Sequence, residues 1–176
     1  MTRGSRLAIA LALCGAIWHP AGALAAENKL PAAFQEPKGI FMMFPAGWQI
    51  KEGEGGTLLT AQPKQAEGAY PERAVVTRAS TTESSIEKAF QHHLTRLKES
   101  YPGCQVVKQG MFKESGIRWA RFKATSDGTS IEGVSCLLLH AHKLYRIDMS
   151  TQSDDFRHAN DAFSRIIRSV DFKLHL

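Results

Sequence analysis

The chain has 176 residues, of which 22 are basic and 17 acidic, giving a net charge of +5, and it contains only three cysteines. That length carries one domain's worth of apolar core without needing disulfide or metal staples. Basic and acidic residues interleave (Lys51, Glu52, Glu54; Lys113, Glu114) without a long run of like charge, which describes a mixed, solvated surface and argues against a nucleic-acid partner.

The first 25 residues read as an export signal. Arg3 and Arg6 give a positive start, Leu7 to Trp18 is an apolar run, His19-Pro20 breaks it, and Ala23-Leu24-Ala25 offers the small-x-small pattern of a cleavage site. The run is too short for a stable membrane span, which needs about 20 apolar residues, so no transmembrane anchor is expected after cleavage near Ala25. Cys14 is a poor lipid-attachment site, because Leu13 precedes it and Ala16, Ile17 and Trp18 continue the apolar run. The mature protein is therefore expected to be periplasmic or secreted. Loss of Arg3 and Arg6, with no acid in the same segment, lowers its net charge to +3. Residues 26–38, with two prolines and little periodicity, are expected to be a loose lead-in, and residues 39–176 a single domain.

From there the chain alternates short apolar runs with turn residues. Strands are expected over Gly39–Phe44, Trp48–Ile50, Thr57–Ala61 and Arg73–Ala79. Pro45-Ala46-Gly47 fits a type I turn with Pro second and Gly fourth. Gln62 to Glu72, with two prolines and a glycine, is a surface loop. The period then changes to 3.6. Ile86, Phe90, Leu94, Leu97 and Tyr101 share one helical face behind a Ser84/Glu87 capping box, and Pro102-Gly103 ends the helix. A second helix is expected from about Asp154 to Val170, with Phe156, Ala159, Phe163, Ile166, Ile167 and Val170 on one side.

Between the helices lie four strands: Gln105–Glu114, Ile117–Thr125, Ile131–Ala141 and Leu144–Thr151. Their short connections force antiparallel neighbours. Simple hairpins place Glu114 opposite Ile117, Thr125 opposite Ile131, and Ala141 opposite Leu144. One face then collects Met111, Ala120, Phe122, Val134, Cys136, Leu138, Ile147 and Met149. The other collects Phe112, Trp119, Leu137 and Leu139, with Lys108, Arg121, Lys123, Arg146 and Asp148 around them. Two apolar faces call for a helix on each side: an α+β fold, a three-layer α/β/α sandwich with a mostly antiparallel sheet flanked by two main helices. In this register Cys104 and Cys136 stand too far apart to bridge and act as two separate buried thiols.

Phe41-Met42-Met43-Phe44-Pro45-Ala46-Gly47-Trp48 resembles the F-x-x-P-x-G-W opening of the PsbP-like and DcrB-like proteins. The similarity continues through Ala74 to Val76, the helix start Ser85 to Ala89, Trp119 and Tyr145 in the meander, and the closing Ile166 to Phe172. The resemblance implies an α/β/α sandwich and a non-catalytic binding or assembly role.

Catalytic chemistry finds little footing. G-x-S-x-G, C-x-x-C, H-E-x-x-H and phosphate-cradling glycine loops are all missing from the sequence. A zinc or copper site needs three or four convergent ligands, and only His140 and His142 have usable spacing, so no metal or cofactor is assigned. Trp48 reads as a core anchor. The candidate partner-binding residues are Phe112, Trp119, Arg121, Leu137 and Arg146, an aromatic and apolar patch with a charged rim. The expected function is that of an exported, non-enzymatic binding or assembly factor acting on a protein partner of the bacterial cell envelope. The alternatives are a small-ligand carrier and a metal-dependent enzyme using His140 and His142.

Overall fold

A computed structural model describes residues 31–37, 39–65, 70–101 and 103–172, and the structural statements below concern these residues. The expected export signal over residues 1–25 lies outside them, as do residues 66–69 of the expected surface loop.

Nine strands and two helices are seen among the described residues, and all but the first strand follow the expected order. They are β1 (Ala32–Gln35), β2 (Phe41–Phe44), β3 (Trp48–Glu52), β4 (Thr57–Pro63), β5 (Arg73–Ser80), α1 (Ile86–Ser100), β6 (Gln105–Phe112), β7 (Ile117–Ser126), β8 (Thr129–His140), β9 (Lys143–Gln152) and α2 (Phe156–Arg168). Strands β3 to β9 form one sheet in the order β3-β4-β5-β9-β8-β7-β6, antiparallel throughout, while β1 and β2 pair as a separate ribbon. The fold is α+β, with α1 against one face of the large sheet and α2 against the other.

The helical periodicity explains the layers. Phe156, Ala159, Ala162, Phe163, Ile166 and Ile167 of α2 are all buried, packed with Val76, Val134, Cys136, Leu138, Ile147 and Met149. On the opposite face Ala89 and Phe90 of α1 meet Ala120 and Leu137, and Leu97 meets Phe122, Ala124 and Ile131. Burying each such large apolar side chain contributes about 1.5–3 kcal/mol before the entropy of ordering it is subtracted.

Four expectations need correction. First, the lead-in is not loose over Ala32–Gln35, which pairs with β2 from Ala32↔Phe44 to Gln35↔Phe41. Glu36, only 7% exposed, ties this ribbon to the sheet: it ion-pairs with Arg78, lies 4.0 Å from Lys143 Nζ, and accepts the Tyr145 hydroxyl hydrogen at 3.1 Å. Second, α1 starts at Ile86 behind Ser85, with no side-chain cap, because Glu87 pairs with Arg118 instead of closing a box with Ser84. Third, the Pro45 turn closes one residue later than expected. Trp48 N–H donates to Pro45 O at 3.2 Å, which puts Gly47 (φ 84°) third, where a type II turn needs a positive φ.

The fourth correction bears on the site. Phe112 pairs with Ile117, Ser126 with Thr129, and His140 with Lys143. The first and third hairpins are displaced from expectation by an even number of residues, which preserves the faces. The β7–β8 hairpin is displaced by one, because its turn is the two-residue Asp127-Gly128, both with positive φ (49° and 78°). A one-residue slip exchanges the faces of one strand against the next. Ala120 and Phe122 therefore join Leu137 under α1, whereas Trp119 pairs with Cys136 on the α2 side.

Candidate interaction surface

The slip divides the expected binding residues between two faces. Phe112, Trp119 and Arg121 stay together beside α2. Leu137, 1% exposed, is core beneath α1, and Arg146 lies on that same side.

On the α2 side the sheet extends beyond its helix. The α2 helix packs on β2, β8 and β9, leaving the β6–β7 ribbon overhanging, with β6 as the edge strand. Of the four large hydrophobics exposed among the described residues, Val107, Met111 and Phe112 stand on β6; the fourth is Met43. Val107 falls where the β6–β7 register shifts, a bulge that leaves it out of the ladder. The Phe112 and Trp119 rings lie 6.1 Å apart, and Trp119 is laid across Gly110, where a Cβ would come within 2.8 Å of the indole Cζ2. Gly110 thus makes room for the tryptophan, a role that an isolated glycine inside a strand pattern signals. Arg121 sits 4.6 Å above the Phe156 ring and donates from Nε to Glu132, a carboxylate only 4% exposed.

On the α1 side a polar chain runs under the helix into a hollow of 490 Å³. Ser135 donates its hydroxyl hydrogen to Asp148, so the His93 imidazole, 2.7 Å away through Nε2, must carry its hydrogen on that nitrogen. Arg146 Nε lies 2.8 Å from Asp148 Oδ2 without the alignment of a hydrogen bond. Burial holds the His93 pKa below its usual value, against the pull of Asp148. Serine here stands between histidine and aspartate, buried and bonded to both, so it lacks the free hydroxyl and the base–orienter order of a nucleophilic triad. The sequence held a hint of His93 being buried, since it stands three residues after Phe90 and four before Leu97; its partners come from β8 and β9 and were not foreseeable.

Two further hollows flank the Pro45–Gly47 turn. One, of 600 Å³, is floored by Pro31, Met43, Phe44 and Pro45 and edged by Arg165 and Arg168. The other, of 470 Å³, holds Glu72, whose pKa burial raises and Arg165 lowers, together with Trp48, Asp155 and His158. Trp48 is 7% exposed and stacks on Phe44 at 6.0 Å, as a core anchor should.

The histidine pair does not converge. His140 ends β8 and stacks on Phe172, with 4.0 Å between ring centroids, while His142 occupies the β8–β9 turn with φ 59°. Among the described residues no group of three or more His, Cys, Asp or Glu side chains is arranged to hold a metal ion. No helix there is long and apolar enough to cross a membrane.

Strand order, the helix on each face and the N-terminal ribbon together make this a PsbP-like fold. The chain is similar to cyanobacterial PsbP (CyanoP) from Synechocystis sp. PCC 6803, with a TM-score of 0.63 and 11% identity over 87% of this chain and 99% of that one. It is similar to LpqN, involved in cell envelope biogenesis of Mycobacterium tuberculosis, with a TM-score of 0.58 and 14% identity over 80% and 88% of the two chains. It is also similar to the Saccharomyces cerevisiae Ran-binding protein Mog1p, with a TM-score of 0.60 and 9% identity over 82% and 96%. No protein-family model and no curated protein sequence matches the chain.

Proposed function

We propose that this chain is a non-catalytic binding or assembly factor exported to a bacterial cell envelope, where it holds a protein partner against the β6 edge and the Phe112/Trp119/Arg121 surface. The observation that carries the reading is the concentration of exposed apolar side chains on one edge strand, with Val107 52%, Met111 42% and Phe112 37% exposed. Met111 and Phe112, successive on the strand, point to opposite faces, so Phe112 is the one that adjoins Trp119. Exposed apolar side chains along an unpaired sheet edge favour an interaction site. Export is supported by the leader-like residues 1–25. The role is supported by neighbours of the same fold, one in envelope biogenesis and one a Ran-binding protein.

The test is a photo-crosslinking residue at position 107 in intact cells. A discrete crosslinked species is expected, and it should vanish with Phe112→Asp while stability changes by less than about 1 kcal/mol, as befits a surface substitution. Crosslinks unaffected by Phe112→Asp would remove this surface from the reading, and chain retained in the cytoplasm would remove export.

A second reading, a carrier of small amphiphilic ligands, rests on the 600 Å³ hollow, which joins an apolar floor to two arginines. Dodecanoate should then shift the backbone amide signals of Met43 and Ala46, which line that hollow, in nitrogen-edited spectra. Unchanged signals at saturating dodecanoate end this second reading.

A further inference from the structure

We infer that the groove between α2 and the overhanging β6–β7 ribbon receives an acidic partner segment that ends in a bulky apolar residue. This rests on the reading above and names the chemistry of the partner.

The groove comprises two adjoining hollows. One, of 220 Å³, lies between Phe112, Trp119 and Val134 on the sheet and Phe163 and Ile167 on α2. The next, of 330 Å³, runs along α2 past Phe156 and Arg157 toward Ser153. Arg121 and Asn160 line both, so the two hollows adjoin. Its two ends differ in chemistry. The Phe112 end is aromatic and aliphatic, shaped for one large side chain, with Trp119 as the kind of rigid aromatic that dominates binding energy.

The remainder is cationic. Arg121 and Arg157 line it, Lys123 stands 3.7 Å from Glu132, the same carboxylate that Arg121 engages, and Lys108 lines the Phe112 end beside Arg121. Glu132, a buried acid in the lining, engages Arg121 and Lys123, whereas Lys108 and Arg157 have no ion-pair partner among the described residues. Glutamates or aspartates along a partner segment would supply the missing charge, and the apolar end would fix its register. A second copy of this chain fits poorly, because its surface is itself net basic. An extended nucleic acid would leave the apolar end unfilled.

The probe is a fluorescein-labelled octapeptide of glutamates and serines ending in Leu-Phe amide, titrated into the full mature protein and followed by polarisation. Saturable binding is expected, weakening as salt is raised and falling about tenfold in the Lys108→Glu/Arg157→Glu double variant. Phe112→Ser should weaken it comparably, and these three positions are solvent-exposed, so each variant should fold. In nitrogen-edited spectra the Trp119 indole and Asn160 amide should shift on binding. Four outcomes overturn the inference: no binding; equal binding of an acidic peptide lacking Leu-Phe, a nonspecific polyanion effect; equal binding by the variants; or spectral shifts confined to another face. A crosslink at position 107 that survives such a result condemns the groove chemistry alone. Loss of both condemns the proposed function as well.

Discussion

His93 is a base stored neutral beneath a helix. It is 6% exposed, hydrogen-bonded to Ser135, and faced by Asp148, Arg146 and Arg96. Burial, aided by the two arginines, lowers its pKa more than Asp148 raises it. Below the ordinary value of 6.5 the unfolded chain takes up a proton at this site that the folded chain resists. Stability should therefore decline as pH falls from about 6.5 toward the lowered folded value. Glu72, raised by burial, acts with the opposite sign and from nearer its own ordinary value of 4.5. Urea midpoints at about pH 7.5 and pH 5.5 should differ in wild type, and the difference should shrink in His93→Gln. An equal difference in both proteins would assign the effect to other groups. Gly110 sets a second local test. Alanine there restricts the unfolded chain, worth about 0.5–1 kcal/mol in its favour, but overpacking against the Trp119 ring costs about 1–3 kcal/mol. Since Trp119 is only half-buried and able to tilt, Gly110→Ala should lose about 1 kcal/mol and shift Trp119 emission. Trp119→Leu should remove the penalty. A stabilising Gly110→Ala would mean that the ring does not lie across the strand.

The elements show which forces set the architecture. Helix positions and buried faces were legible because a 3.6-residue apolar period has one physical solution, and α2 buries the residues its spacing selects. Strand pairing was legible because two- to five-residue connections permit only antiparallel neighbours. Register was legible only to within two residues. The Asp-Gly turn that fixes β7 against β8 lay inside a polar five-residue stretch, and choosing that whole stretch as the loop moved the pairing by one. Hence alternation within β7 and pairing with β6 keep Phe112, Trp119 and Arg121 on one face, while the slip carries Leu137 and Arg146 to the other. The β1–β2 ribbon was missed because its anchor is tertiary: Glu36 reaches Arg78 and Tyr145, residues far along the chain. Glu36→Ala should leave Arg78 and the Tyr145 hydroxyl without their acceptor. The expected loss is about 2 kcal/mol, because Arg78 is partly solvated and rehydrates cheaply. Limited proteolysis should then cut between Gln35 and Ile40 before the sheet is attacked. Unaltered cleavage kinetics would mean that strand pairing alone holds the ribbon.

At the scale of the molecule, the sheet works as a partition. Among the described residues the core under α1 and the core under α2 lie on opposite faces of this hydrogen-bonded layer, and so do the two cysteines. Cys136 is fully buried among Trp119, Ile147 and the α2 side chains, and burial drives its pKa far above the ordinary thiol value. Cys104 is half-buried at the other end of the α1 layer, beside Tyr101, Phe122 and Ile131, with its pKa also raised by burial. A bridge between them would have to pass through the sheet, so both should survive as thiols even in an oxidising compartment, where a two-cysteine chain would ordinarily be expected to pair. Thiolate is the reactive form, so iodoacetamide should label Cys104 slowly and Cys136 not at all in the native protein. Unfolded in the same reagent without reductant, the chain should carry label at both positions by peptide mapping. A peptide linking Cys104 to Cys136 by a disulfide would require both residues on one side of the partition, and the assignment of α1 and α2 to opposite faces would fall with it.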